Sequence, residues 1–160
     1  MQKITPFLSF GDRAEEAAKL YTSLFPGSRI TSTLRAPEGT PDTTAGQVLT
    51  IEIEVAGQRL VLMNGGDHFK DKFTDSMSLV LDCESQSEVD DLTAKLTSDG
   101  GKQLPCGWVA DRFGMRWQVT PRQLTRMMQD KDPAKAHRVM QAMLKMTKID
   151  IAELERAYRG

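Results

Sequence analysis

Leu104–Pro121 reads LPCGWVADRFGMRWQVTP, and the fold turns on this stretch. It spells two short strands joined by a turn at Asp111–Gly114. Over Met115–Thr120 the chain alternates, with Met115, Trp117 and Val119 on one side and Arg116, Gln118 and Thr120 on the other. Gly114 supplies the backbone freedom of the turn, and Pro121, which has no N–H to donate, is expected to end the pairing. The strand thus offers an apolar face to a core and a polar face expected to line a small-molecule cavity.

Upstream, the same order of elements occurs twice. Ile4–Phe10 alternates as a strand, with Ile4, Leu8 and Phe10 on one face with Pro6, and Thr5, Phe7 and Ser9 on the other. Asp12 and Glu15 read as a capping box opening a helix striped by Ala14, Ala17, Ala18, Tyr21, Leu24 and Phe25. Pro26-Gly27 stops it. Arg29–Arg35 reads as a strand, Ala36–Ala45 as a long loop, and Gln47–Val55 with Gln58–Asn64 as a hairpin about Ala56-Gly57. Gly65-Gly66 reads as a bend, since neither a helix start nor a P-loop lysine follows. Asp67–Asp75 crosses to the second half. There Ser76–Leu81 reads as a strand, and Ser85 with Glu88 caps a helix striped by Val89, Leu92 and Leu96. Three short strands follow. A shift of about 71 residues carries Leu8 and Phe10 onto Leu79 and Leu81. A shift of about 57 carries Gly57, Arg59 and Leu60 onto Gly114, Arg116 and Trp117.

The expected fold class is α+β: two βαβββ modules forming curved mixed sheets around a cavity, plus C-terminal helices. Residues 1–121 form the duplicated domain, with modules at about 1–66 and 75–121, and residues 122–160 form a helical extension. Asp132-Pro133 opens one of its helices, striped by Ala136, Met140, Met143 and Leu144. Asp150 opens the last, through Tyr158. These helices must cover their apolar faces on the sheet domain or on a second subunit.

The helices of the modules must also cover the apolar strand faces. The opposite faces then present Thr5, Phe7, Ser9, Thr50, Glu52, Glu54, Val61, Met63, Ser76, Ser78, Arg116 and Gln118 to a shared hollow of mixed polarity. An enclosed Glu52 would have a raised pKa suited to proton abstraction. Alternatively Glu52 and Glu54 face water or pair with Arg59 and Arg116. Phe7, Met63, Ser76, Ser78, Trp108, Arg116 and Gln118 are the expected substrate-binding residues. Trp108 either stacks on a ligand or packs in the core. Cys106 has no adjacent histidine and reads as a packed thiol.

The net charge is −1, which provides no field for nucleic acid or an anionic membrane. No window is apolar over the length a membrane span needs, and the start MQKITPFLSFGD lacks a signal peptide's pattern. Cys83 and Cys106 are not spaced as a metal-binding pair, so a reducing cytoplasm is the expected location.

ITPFLSF, AEEAAKLYTSLFPGSRI, NGG at Asn64–Gly66, CGWVADRFGMRWQVTP and DPAKAHRVMQAMLKMTKID together resemble the PhnB-like subfamily of the vicinal oxygen chelate superfamily. That superfamily includes glyoxalase I and bleomycin-resistance proteins. The subfamily carries the label 3-demethylubiquinone-9 3-methyltransferase. The resemblance runs from about Ile4 to Gly160. It implies a glyoxalase-type fold, a small-molecule ligand and a homodimer.

Enzymes of the superfamily hold a divalent metal through residues of the first and fourth strands of each module. The matching positions here are Thr5, Val61, Ser76 and Gln118, of which only Gln118 is a plausible donor. Glu52 beside Gln118 would add only one more donor, and His68 and His137 lie in the crossing loop and the C-terminal helices. No metal and no other cofactor are expected. A methyl-donor site needs a glycine-rich turn in a doubly wound sheet, which the chain lacks, so the label is not expected to describe the mechanism. The leading expectation is a PhnB-like binder, with Glu52 as base if it catalyses a metal-independent reaction. The rivals are a metal-dependent lyase, isomerase or dioxygenase, a non-catalytic sequestering protein, and an assembly module acting through its Met-rich helices.

Overall fold

The computed structural model describes residues 3–41 and 43–160. Residue 42 of the expected Ala36–Ala45 loop and the first two residues lie outside the described residues. The chain divides into two compact units, Met1–Lys72 and Phe73–Gly160.

In the first unit, β1 (Phe7–Phe10), α1 (Ala14–Thr22), β2 (Arg29–Arg35), β3 (Val48–Val55) and β4 (Gln58–Asn64) follow in order. The sheet order is β1-β4-β3-β2, with β1 parallel to β4 and the other pairs antiparallel. Ala14, Ala17, Ala18, Leu20 and Tyr21 of α1 are buried, as are Leu8, Phe10, Ile51, Ile53, Leu60 and Leu62 of the strands. The β3–β4 hairpin turns through Ala56 and Gly57, both at positive φ (48° and 80°), which suits the right-handed strand twist. The expected Asp12–Glu15 capping box does not form. Arg13 occupies the N-cap with its guanidinium turned to the Glu16 carboxylate and no side-chain capping bond, and the Asn64 side-chain carbonyl at the end of β4 accepts the Ala14 N–H at 2.8 Å. Asn64 also donates to the Val48 carbonyl at 3.0 Å, so one side chain ties the helix start to β3 and β4.

In the second unit, β5 (Leu79–Cys83), α2 (Gln86–Thr97), β6 (Lys102–Gln103), β7 (Trp108–Ala110) and β8 (Arg116–Pro121) build a sheet of order β5-β8-β7-β6. The order, and the one parallel pair, repeat those of the first sheet. The repeat is therefore in the topology, with a correction to its register. Leu8 pairs with Leu62, whose counterpart Val119 pairs with Leu81, which lies 73 residues beyond Leu8 rather than about 71. A slip of two residues keeps every side chain on its face, because strand alternation has period two.

Several strand ends also differ from expectation: β1 starts at Phe7 and not at Ile4, which leaves Ile4 exposed and Thr5 ahead of the strand. β5 starts at Leu79, so Ser76 sits in the turn before it, its hydroxyl 2.6 Å from that of Thr74. β8 runs through Pro121, opposite Cys83. A proline is tolerated at the end of a strand, where no further ladder bond is interrupted.

Helices α3 (Arg122–Met128), α4 (Pro133–Met143) and α5 (Ile151–Arg159) belong to the second unit. Leu124, Val139, Met146, Ile149 and Leu154 form their core, with Met127, Met128, Ala142, Met143 and Tyr158 packed against it. The expected α4 stripe is rotated: Val139 is buried, while Met140 and Leu144 are exposed. Helix α4 carries apolar residues on two flanks, and packing on α3 and α5 chooses between them. The Gln86 amide donates to the Ile149 carbonyl at 3.0 Å and accepts the Ile151 N–H at 2.9 Å, pinning the start of α5 to α2. Ser85 caps α2 as expected, accepting the Glu88 N–H at 3.2 Å, but the Glu88 carboxylate reaches back to the Glu84 N–H instead of that of Ser85. At Gly107 (φ 79°) a Cβ would stand 2.8 Å from Ile149, so the chain beneath the C-terminal segment admits only glycine there.

Candidate ligand-binding site

Each sheet has one face under its own helix and one face that this helix leaves open. In the first unit, register sets Phe7, Val61, Glu52 and Ser32 in one row across the open face, and Ser9, Met63, Thr50 and Leu34 in the next. Glu52 thus stands among Phe7, Val61 and Met63, a mixed apolar and acidic surface. It is not enclosed within its own unit: its side chain is 37 % exposed, and Arg59 Nε lies 3.8 Å from its carboxylate. Glu54 pairs with Arg29 at 3.2 Å, and Arg116 is held elsewhere. One of the two expected partners, Arg59, is present.

In the second unit, Val80, Gln118 and Trp108 form a row across β5, β8 and β7, with Arg116 and Ala110 beside it. Gln118 donates through Nε2 to Ser78 Oγ at 2.8 Å. Arg116 is held by the Asp75 carboxylate and the Gly114 carbonyl. Ser78, Trp108, Arg116 and Gln118 are therefore neighbours on one surface, whereas Ser76 lies apart in the turn.

What turns Gln118 outward is Asp111, which the sequence reading did not single out. Its carboxylate accepts the backbone N–H groups of Phe113 (2.9 Å) and Met115 (3.0 Å) and the Trp117 indole N–H (2.9 Å). This closes the turn and seats Trp117 in the core, so its strand neighbours Arg116 and Gln118 face the other way. The signal in the sequence was an aspartate opening a turn that ends in glycine.

A cavity of about 790 Å³ lies at the end of the first sheet, lined among others by Asp12, Glu15, Arg35, Asn64, Asp67 and His68. Sequence reading missed it because these residues sit at separate strand and helix ends. Its charged side chains are exposed, Asn64 is spent on Ala14 and Val48, and Arg35 donates to the Gly46 carbonyl. Water screens such groups, and the cavity offers little discrimination.

The two cysteines differ in their surroundings. Burial, reinforced by Glu88 and Asp82, pushes the Cys83 thiol up to about 12. Cys106 is a free, partly buried thiol whose backbone N–H donates to the Met146 carbonyl.

The four superfamily metal positions do not fit a divalent ion. Val61 has no donor atom, Thr5 and Ser76 carry only neutral hydroxyls, and the Gln118 amide oxygen is the single strong donor of the set. Among the described residues no three His, Cys, Asp or Glu side chains converge to hold a metal ion. Each sheet has one parallel and two antiparallel strand pairs, so neither is a doubly wound parallel sheet. No helix among the described residues is long and apolar enough to cross a membrane.

Residues 2–120 match the family described as 3-demethylubiquinone-9 3-methyltransferase. No curated protein matches the chain. Among solved structures, the chain is similar to a Bacillus cereus PhnB protein described as a 3-demethylubiquinone-9 3-methyltransferase, at 36% identity and a TM-score of 0.67, covering 75% of this chain and 99% of that one. Protein PA1353 from Pseudomonas aeruginosa is 20% identical with a TM-score of 0.61, covering 76% and 98%. The fosfomycin resistance protein FosX from Listeria monocytogenes is 14% identical with a TM-score of 0.50, covering 76% and 93%. These last two likenesses show the fold alone.

Proposed function

The chain belongs to the PhnB-like, 3-demethylubiquinone-9 3-methyltransferase family, and from that premise we propose that it binds a small molecule on the helix-free faces of its two sheets. The observation that carries this is the residue mix of those faces. Phe7, Val61 and Met63 surround Glu52 on one, and Val80 and Trp108 flank Gln118 on the other. Apolar walls with a few placed polar groups are how small-ligand sites are built. In this reading Phe7 and Met63 supply apolar contact on the face of the first unit; on the face of the second unit Trp108 supplies apolar contact, Ser78, Arg116 and Gln118 orient a ligand, and Ser76 contributes from the turn before β5. No step runs through a metal. In this reading the protein acts in the cytoplasm and is a homodimer; the exposed Met140 of α4 and Leu144 just after it support the dimer, as apolar surface available for a second copy.

Native mass spectrometry of the protein as purified tests the binding role: a retained small molecule supports it. Failure of a broad metabolite mixture to shift the mass or melting temperature of the ligand-free protein counts against it. Light scattering tests the dimer, and a monomer at micromolar concentration removes that part. A tight stoichiometric zinc or nickel signal in calorimetry would overturn the metal-free reading.

Binding without turnover is the form that the Glu52 geometry favours. A base is made effective by desolvation, and Glu52 is more than one-third exposed and paired with Arg59. If Glu52 is nevertheless the base, Glu52→Gln retains the ligand and abolishes its conversion.

A further inference from the structure

We propose that the open face of the second unit is a subsite for an uncharged planar ring carrying one hydrogen-bond donor, and that Ser78 is the positioning residue that sets this preference. The inference rests on the binding role proposed above and narrows it to a ligand class.

Gln118 lies on β8 between two flanking strands, with Val80 directly opposite it on β5 and Trp108 on β7. Their strand neighbours Leu81, Val109, Trp117 and Val119 are buried, so Val80, Gln118 and Trp108 share the opposite, open face. A primary amide has nearly the same shape at both ends and can offer a ligand either its NH₂ or its oxygen. Here Nε2 is committed to Ser78 Oγ at 2.8 Å, while Oε1 has no protein partner among the described residues. The end left for a ligand is an acceptor, and its complement is an N–H or O–H group.

Charge points the same way. Arg116, next along the open face of β8, already has the Asp75 carboxylate and the Gly114 carbonyl, so an anion meets no uncompensated cation there. Apolar surface flanks the acceptor on both sides: Val80 is 55 % exposed, and the Trp108 indole is a flat surface suited to ring stacking. Acceptor, flat apolar flanks and compensated charge together specify a neutral ring with one donor.

The test is a nuclear magnetic resonance titration of the ¹⁵N-labelled full chain with indole, with 1-methylindole, which keeps the ring and loses the donor, and with indole-3-carboxylate, which adds a negative charge. The reporters are the Trp108 indole N–H and the Gln118 side-chain NH₂; the buried Trp117 indole checks that the fold is intact. Indole is expected to shift both reporters saturably and to bind about three- to tenfold more tightly than either other probe, the margin one hydrogen bond supplies. Ser78→Ala should remove the preference for indole over 1-methylindole, and Ser78→Thr, which keeps the hydroxyl, should retain it. Equal affinity of indole and 1-methylindole, or tighter binding of the carboxylate, overturns the ligand class while leaving the face a binding surface. A preference that survives in Ser78→Ala overturns the role of Ser78. No shift of either reporter with any of the three probes overturns the subsite, while retention of a ligand elsewhere on the protein would leave the broader binding role standing.

Discussion

The Asp111 carboxylate accepts the indole N–H of Trp117 at 2.9 Å, and both residues are buried, at 3 % and 1 % exposure. With the N–H groups of Phe113 and Met115 on the same carboxylate, one side chain closes the turn and sets which face of β8 meets α2. Asp111→Ala leaves three donors without their acceptor and is expected to cost about 3 kcal/mol. Asp111→Asn keeps one oxygen acceptor and should cost less. Urea denaturation checks the order; a fully stable Asp111→Ala protein would show that the turn is held by other means.

Gln86 acts at a longer range, holding the Ile149 carbonyl and the Ile151 N–H. Gln86→Ala removes both bonds and should cost about 1–3 kcal/mol. Hydrogen exchange is the discriminating readout. Amides of α5 should exchange faster while those of β8 keep their protection; uniform loss of protection would mean that the two regions open as one.

The Asp90 carboxyl is held below its ordinary value of 3.8, first by its hydrogen bond to Lys148 and then by Gln86. A depressed folded-state value contributes stability that is present above about 3.8 and lost as pH falls through the lower folded value. The pair is exposed, so the effect is small. The stability gap between wild type and Asp90→Asn should therefore close as pH is lowered from about 6 to about 2. A gap that widens in acid would be inconsistent with this pairing.

The Tyr158 hydroxyl donates to the Asp130 carboxylate, and this bond raises the phenol above 10.0 and lowers the Asp130 carboxyl below 3.8. A raised phenol contributes stability that is complete below about 10 and lost as pH rises through the folded value. Ultraviolet titration should show a tyrosine ionising late, and Asp130→Asn should bring it back toward 10.0. An unchanged titration in the variant would mean that the bond is not held in solution.

Thiol labelling separates the two cysteines. Cys83 is buried with its thiol raised to about 12, and Cys106 is only partly buried. A disulfide reagent at neutral pH should modify Cys106 in the native protein and both thiols after unfolding. Rapid native labelling of Cys83 would mean that its strand opens easily.

The alternation in Met115–Thr120 was enough to predict that Trp117 and Val119 are core and that Arg116 and Gln118 are not. The α1 and α2 stripes likewise name buried residues, Tyr21, Val89, Leu92 and Leu96 among them. These readings succeed because side-chain direction follows from backbone geometry alone, at period 2 in a strand and 3.6 in a helix. The duplicated element order belongs with them, and so does the family resemblance carried by CGWVADRFGMRWQVTP.

The remaining features depend on partners far apart in the chain. Asn64 displaces the local cap of α1, the β1 and β5 registers differ by two residues, and α4 buries Val139 in place of Met140. At the candidate site, the sequence put Glu52 and Gln118 on open faces and offered Arg59 as a partner for the first, while the bond from Gln118 to Ser78 emerged only on folding. An isolated segment satisfies its hydrogen-bond donors and apolar faces with what lies within a few residues. The folded chain chooses among partners from its whole length, and the lowest free energy lies with whichever arrangement leaves the fewest buried groups unmatched.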